Sequence, residues 1–106
     1  MRIIFKNEEL REIYRRGKET GKPRFSPEIV KAFIKKIDIL ASVENSAVLL
    51  QFQSLHFEAL KREAKFKGFH SIRVNDKYRI IIRIVKEKYK IETIEISEIH
   101  ELTDYQ

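Results

Sequence analysis

The chain has no cysteine and no tryptophan, and only three glycines and two prolines among its 106 residues. Without cysteine it has neither a disulfide framework nor a thiolate metal site. Three scattered glycines cannot build a Gly-rich phosphate loop, and no G-x-S-x-G nucleophile elbow occurs. The three histidines (His56, His70, His100) lie too far apart for a helical metal pair. Long apolar runs are missing as well. The longest stretch free of charge, Asn45 to Phe57, contains Asn, Ser, Gln and His, whereas a membrane span needs about 20 mostly apolar residues. The N-terminus, Met1-Arg2-Ile3-Ile4-Phe5-Lys6-Asn7-Glu8, turns charged at once and shows no signal-peptide pattern. These absences predict a cytoplasmic protein with no membrane association, no metal and no cofactor.

What is present is a charged chain with enough apolar residues for a core, 36% charged and 42% hydrophobic. Its length predicts one domain over residues 1–106. The net charge is +6, which suits a polyanionic partner, although a basic domain without one has the same composition. The charge is unevenly placed. Residues 1–36 and 61–90 each carry 11 Lys or Arg, against five and three acids. Residues 37–60 carry no base, and residues 91–106 carry five acids and no base.

The hydrophobic period divides the chain. Ile3-Ile4-Phe5 reads as a short edge strand. A first helix follows, with Asn7 as N-cap, Glu8 and Glu9 in its first turn, Leu10, Ile13 and Tyr14 as its apolar stripe, and Gly17 as C′. Gly17–Phe25 reads as a loop. A second helix over about 26–42 starts at Ser26-Pro27-Glu28 and carries Ile29, Val30, Phe33, Ile34, Ile37, Leu40 and Ala41 on one stripe. Ala47–Leu50 reads as a further helical turn.

From residue 69 the period becomes two. In 69–75, His70, Ile72 and Val74 share one face, while Ser71 and Arg73 share the other. In 77–86, Tyr78, Ile80, Ile82 and Ile84 oppose Arg79, Ile81 and Arg83. A three-residue loop, Asn75-Asp76-Lys77, keeps those faces matched and pairs Ile72 with Ile80 and Arg73 with Arg79. Two arginines directly opposite repel. They point either to an anion bound there or to relief by solvent or by Glu92 or Glu95. Tyr89–Ser97 reads as a third strand, with a bulge near Thr93 to reconcile Tyr89 and Ile91 with Ile94 and Ile96. The expected fold class is α+β, two N-terminal helices packed on a small antiparallel sheet.

Metal-free RNA cleavage needs only a basic face and two proton carriers. A base takes the 2′-hydroxyl proton, cations stabilise the phosphorane, and an acid protonates the leaving 5′-oxygen. His56 and His100 are candidates for the proton transfers, each with an alternative structural role; His70 has core parity and reads as structural. Arginine suits the phosphate because its fork donates two parallel hydrogen bonds.

The ordered set Leu55-His56…Leu60-Lys61, Gly68-Phe69-His70-Ser71-Ile72-Arg73-Val74, Tyr78-Arg79-Ile80 and Glu98-Ile99-His100 resembles the HigB toxins of the RelE/ParE superfamily of type II toxin–antitoxin systems. The resemblance spans about residues 1–101. It implies a microbial-ribonuclease-like fold and a metal-free endoribonuclease that cuts mRNA in the ribosomal A site, with a cognate helix-turn-helix, HigA-like antitoxin as partner. Carried over position by position, it implies catalytic roles for His56, Lys61, Arg79, Glu98 and His100, with two residues inserted between His56 and Lys61. Glu98 stands where the family has Asp, and Ile99 where it has a Tyr that could stack on a base; Tyr105 is a possible substitute. Arg73, Arg83, Lys65, Lys67 and Lys77 are the expected RNA contacts. Alternatives are a ParE-like gyrase inhibitor and an inactive RNA- or ribosome-binding homologue.

Overall fold

The computed structural model describes residues 1–61 and 64–104. Strand β1 (Arg2–Phe5) is followed by helices α1 (Glu8–Arg16) and α2 (Pro27–Ser42). Two 3-10 turns, Ser46–Gln51 and Gln53–Leu55, lead to the short strand β2 (Glu58–Ala59). A third 3-10 turn, Ala64–Phe66, precedes β3 (His70–Arg73), β4 (Tyr78–Tyr89) and β5 (Glu92–Asp104). The sheet order is β1-β5-β4-β3-β2. This is the expected α+β layout. The three C-terminal strands are antiparallel, β2 adds to them antiparallel, and β1 joins β5 in parallel, so the full sheet is mixed.

The helix ends follow local chemistry. Asn7 Oδ1 accepts the Leu10 N–H at 3.1 Å. Gly17 adopts a left-handed conformation (φ 76°), and its N–H donates to the Ile13 carbonyl, the closure that glycine permits at C′. Ser26 caps α2 by accepting the Ile29 N–H at 3.3 Å, with Pro27 in the first turn.

The main core lies between the helices and one face of the sheet. Leu10 and Ile13 of α1 and Ile29, Val30, Phe33, Ile37 and Leu40 of α2 pack with Ile72, Val74, Ile80, Ile82, Ile99 and Leu102. Ala41, placed on the same stripe by periodicity, is exposed. The segment expected as a helical turn near 47–50 is the 3-10 turn Ser46–Gln51.

The β3–β4 register is the expected one: Arg73 pairs with Arg79 and Ile72 with Ile80. The Val74 N–H closes the three-residue loop on the Tyr78 carbonyl at 2.9 Å.

Two expectations about the rest of the sheet need correction. The third strand runs Glu92–Asp104, beyond the expected Ser97. No bulge occurs near Thr93, which pairs in register with Lys88. Tyr89 and Ile91 broke the alternation because a tight hairpin joins Tyr89 to Glu92 through Lys90 (φ 57°) and Ile91. Ile91 is 96% exposed in that turn and never belonged to a face. The bulge lies further on: Ile82 pairs with Ile99 and Ile81 with Glu101, leaving His100 as the extra residue. On the far face of the sheet, where Ile81 was expected beside the arginines, Leu60 and Phe66 pack against it and Phe69 joins them.

Phe33 is fully buried at the centre of α2. We predict that Phe33→Ala costs about 3–5 kcal/mol of stability, whereas Ile91→Ala changes it by less than about 0.5 kcal/mol. Denaturant unfolding of the two variants checks both.

Candidate active site

Strand alternation sends odd-numbered residues of β3 and β4 to the face away from the helices. Arg73 and Arg79 stand opposite one another there, and next along that face Ser71 pairs with Ile81. Arg83 pairs with Glu98 of β5. His100, two residues on from Glu98 and the extra residue of the bulge, lies on this same side beside Phe69, with ring centroids 4.8 Å apart and planes at 83°.

The two arginines escape mutual repulsion by separate partners. Asp76 in the turn pairs with the Arg73 guanidinium. Arg79 Nη1 donates to the carbonyls of Asn75 (2.8 Å) and Tyr78 (3.2 Å). The Asn75 side chain in turn accepts the N–H groups of Lys77 and Tyr78 at 2.9 and 2.7 Å, which holds the turn rigid. Glu95 does not serve the arginines, for its carboxylate accepts the Ser46 hydroxyl at 2.5 Å. Lys36 of α2 adds positive charge near Arg73. Its ammonium is pushed below the ordinary lysine range, first by burial and then by Lys35 and Arg73.

Glu98 is largely shielded, with 16% of its side chain exposed. One carboxylate oxygen lies 3.2 Å from His100 Nε2 and the other 3.8 Å from Lys6 Nζ. The His100 carbonyl accepts from Asn7 Nδ2 at 3.3 Å. The N-cap of α1 therefore also anchors the bulge. Among the described residues, His100 Nδ1 makes no hydrogen bond.

The remaining expected site residues spread outward. Lys61 and Lys67 line an open cleft of 390 Å³ with Leu60, Gly68, Phe69 and His70. Lys65 places its ammonium 4.7 Å from the Phe66 ring. Lys77 is exposed in the β3–β4 turn. His56 is exposed in a left-handed conformation (φ 44°) just before β2. No contact joins it to His100 among the described residues, and β2 lies three strand spacings, roughly 14 Å, from β5. Ile99 is fully buried and packs in the helix-side core, so in this fold position 99 does not offer a stacking surface. Tyr105 lies outside the described residues.

Phe69 and Lys6 were missed from sequence. Phe69 carried a signal, since it shares the parity of Ser71 and Arg73. Lys6 carried none, because its approach to Glu98 depends on the parallel β1–β5 pairing.

His70 belongs to the other face, paired with Ile82 and stacked on Phe57 at 4.7 Å and 6°. Its Nδ1 is buried without a partner among the described residues.

No helix among the described residues is long and apolar enough to cross a membrane. A family model described as a RelE-like toxin of the type II toxin–antitoxin system HigB matches residues 3–99. The chain therefore belongs to the HigB-like toxins, and membership implies an antitoxin as partner. Among solved structures, a YoeB/ParE toxin from Agrobacterium tumefaciens is similar with a TM-score of 0.56 at 13% identity, each chain covered over 100% of its length. That likeness speaks for the fold. No curated protein matches the chain.

Burial holds the His70 imidazole below its ordinary value of 6.5. The folded state thus binds its proton more weakly than the unfolded chain does. The associated stability is fully present above the unfolded pKa and falls as pH drops from about 6.5 toward the folded value. We predict that His70→Phe, which keeps the ring stack, flattens this part of the stability–pH curve. Urea unfolding between pH 5 and 8 checks it.

Proposed function

We propose that this chain is a ribosome-dependent mRNA endoribonuclease that inhibits translation by metal-independent cleavage in the ribosomal A site. The observation that carries this reading is the shared face of the sheet. His100, backed by Glu98, lies on the side that presents Arg73, Arg79 and Arg83. A proton carrier beside a row of cations supplies the charge stabilisation and one of the two proton transfers that phosphodiester cleavage requires.

The RNA 2′-oxygen attacks the adjacent phosphorus as a base removes its proton. The pentacoordinate phosphorane carries extra negative charge, and Arg79 stabilises it with Lys61 and Arg73. An acid then protonates the departing 5′-oxygen. The products are a 2′,3′-cyclic phosphate and a 5′-hydroxyl. His100, oriented by Glu98, makes one of the two proton transfers. His56, assigned the other from sequence, lies across the sheet from it, and serving the same phosphate would require it to move toward β5. Arg73, Arg83, Lys65, Lys67 and Lys77 hold the flanking phosphates. With Arg79 braced by two carbonyls, its guanidinium is already ordered before the substrate arrives, which lowers the entropy lost on binding. The cognate partner is a helix-turn-helix, HigA-like antitoxin, and the site of action is the cytoplasm.

Induction in cells with mapping of mRNA 5′ ends tests this reading. Wild type is expected to produce codon-aligned cuts. Loss of one phosphorane-stabilising donor in Arg79→Ala lowers cleavage by about 100- to 1000-fold, and His100→Ala likewise removes the cuts. Growth arrest with DNA damage and intact mRNA supports a gyrase inhibitor instead, and healthy cells support an inactive homologue. Affinity for ribosomes or single-stranded RNA should also fall with salt, by a log–log slope of about −0.7 per phosphate contact. A flat response removes the phosphate role of these cations.

A further inference from the structure

We propose that Phe69 is a positioning residue for His100, fixing the orientation of the imidazole on the phosphate-binding face. The role rests on the proton-transfer function proposed for His100. It concerns how the ring is held, which the Glu98 contact alone leaves open.

His100 sits on a bulge, where no cross-strand neighbour pairs with it. Glu98 holds a single atom, Nε2, at 3.2 Å. A ring tethered at one nitrogen can still rotate about that contact. Phe69 removes this freedom through an edge-to-face contact, the arrangement that aromatic quadrupoles prefer. The Phe69 ring is itself fixed. Its N–H donates to the Phe66 carbonyl at 3.0 Å, and its carbonyl accepts the Leu60 N–H at 2.9 Å. The Phe66 ring meets it edge-on at 6.3 Å, and Ile81 lies fully buried in the same cluster. This small apolar cluster on the otherwise basic face thus acquires a purpose beyond packing. It extends the rigidity of β4 to the His100 ring, one residue beyond the end of the β1–β5 ladder at Ile99. With Nε2 on Glu98 and the ring against Phe69, Nδ1 is the nitrogen left for the substrate.

The test compares wild type, Phe69→Leu and Phe69→Tyr in two assays. One is single-turnover cleavage of mRNA on programmed ribosomes. The other is NMR of the His100 ring in the free protein, which needs no cleavage. Leucine keeps the apolar fill and loses the ring. We expect Phe69→Leu to slow cleavage by about a hundredfold, the scale of a small misplacement of a reacting group, with ribosome affinity unchanged. Its His100 ring signals shift or broaden, and Phe69→Tyr restores both rate and signals. Cleavage at the wild-type rate in Phe69→Leu overturns the proposal. Slow cleavage with unaltered His100 signals also overturns it, because Phe69 then acts on the RNA directly. Ring-to-ring NOEs between Phe69 and His100 in the wild-type protein require no variant, and their absence is equally decisive. If wild type cleaves nothing while Phe69→Leu alters the His100 ring, the nuclease reading fails and the positioning contact stands.

Discussion

The register of β4 is the constraint on which the rest of this structure depends. Ile80, Ile81 and Ile82 are consecutive and all fully buried, so this strand is covered on both faces. It is hydrogen-bonded to β3 on one side and β5 on the other. A slip of one residue would turn Ile80 and Ile82 out of the helix-side core and drive arginines into it. Each lost isoleucine costs about 1.5–3 kcal/mol, and an unpaired buried charge costs more. The Asn75 turn starts β4 in that register. It also supplies the carbonyl that braces Arg79, so the same turn aligns the core and presents the cation.

The bulge at His100 answers a packing problem and thereby shapes the site. Ile99 and Leu102 are three residues apart, and a regular strand would send them to opposite faces. One extra residue lets both enter the helix-side core, where Ile99 meets Ile82 and Leu102 meets Ile80. The displaced residue is the histidine. It emerges between Glu98 and Phe69, with its carbonyl held by Asn7. Burial of two aliphatic side chains thus sets the bulge at a histidine that alternation from Ile99 turns to the basic face, and α1 secures it through its own cap.

Much of this was legible residue by residue. Helix starts at Asn7 and Ser26 follow from side-chain chemistry that is local to a few positions. The β3–β4 register follows from alternation, because only one loop length matches two amphipathic faces. The errors arise where local pattern loses information. Ile91 and Ile94 looked like strand residues of conflicting parity, yet Ile91 occupies a hairpin turn and Ile94 is 40% exposed. Their apolarity is not spent on the core, so they misplaced the bulge. β2 has only two residues, too few to show any period. Phe69 had the right parity but no local feature tying it to a histidine 31 residues away.

The amino-acid sequence by itself determined the helices, the two-faced character of β3 and β4, the facing of Arg73 and Arg79, and the set of residue types that single out the toxin family. These depend on periods and caps, which short segments carry intact. Only the tertiary structure decided that β1 runs parallel to β5, that Ile99 turns inward while His100 turns outward, and that Glu98 and Phe69 converge on the imidazole with Lys6 beside the Glu98 carboxylate. Those outcomes depend on contacts between segments distant in the chain. They are selected by the competition of whole faces for burial, which no short stretch of sequence records.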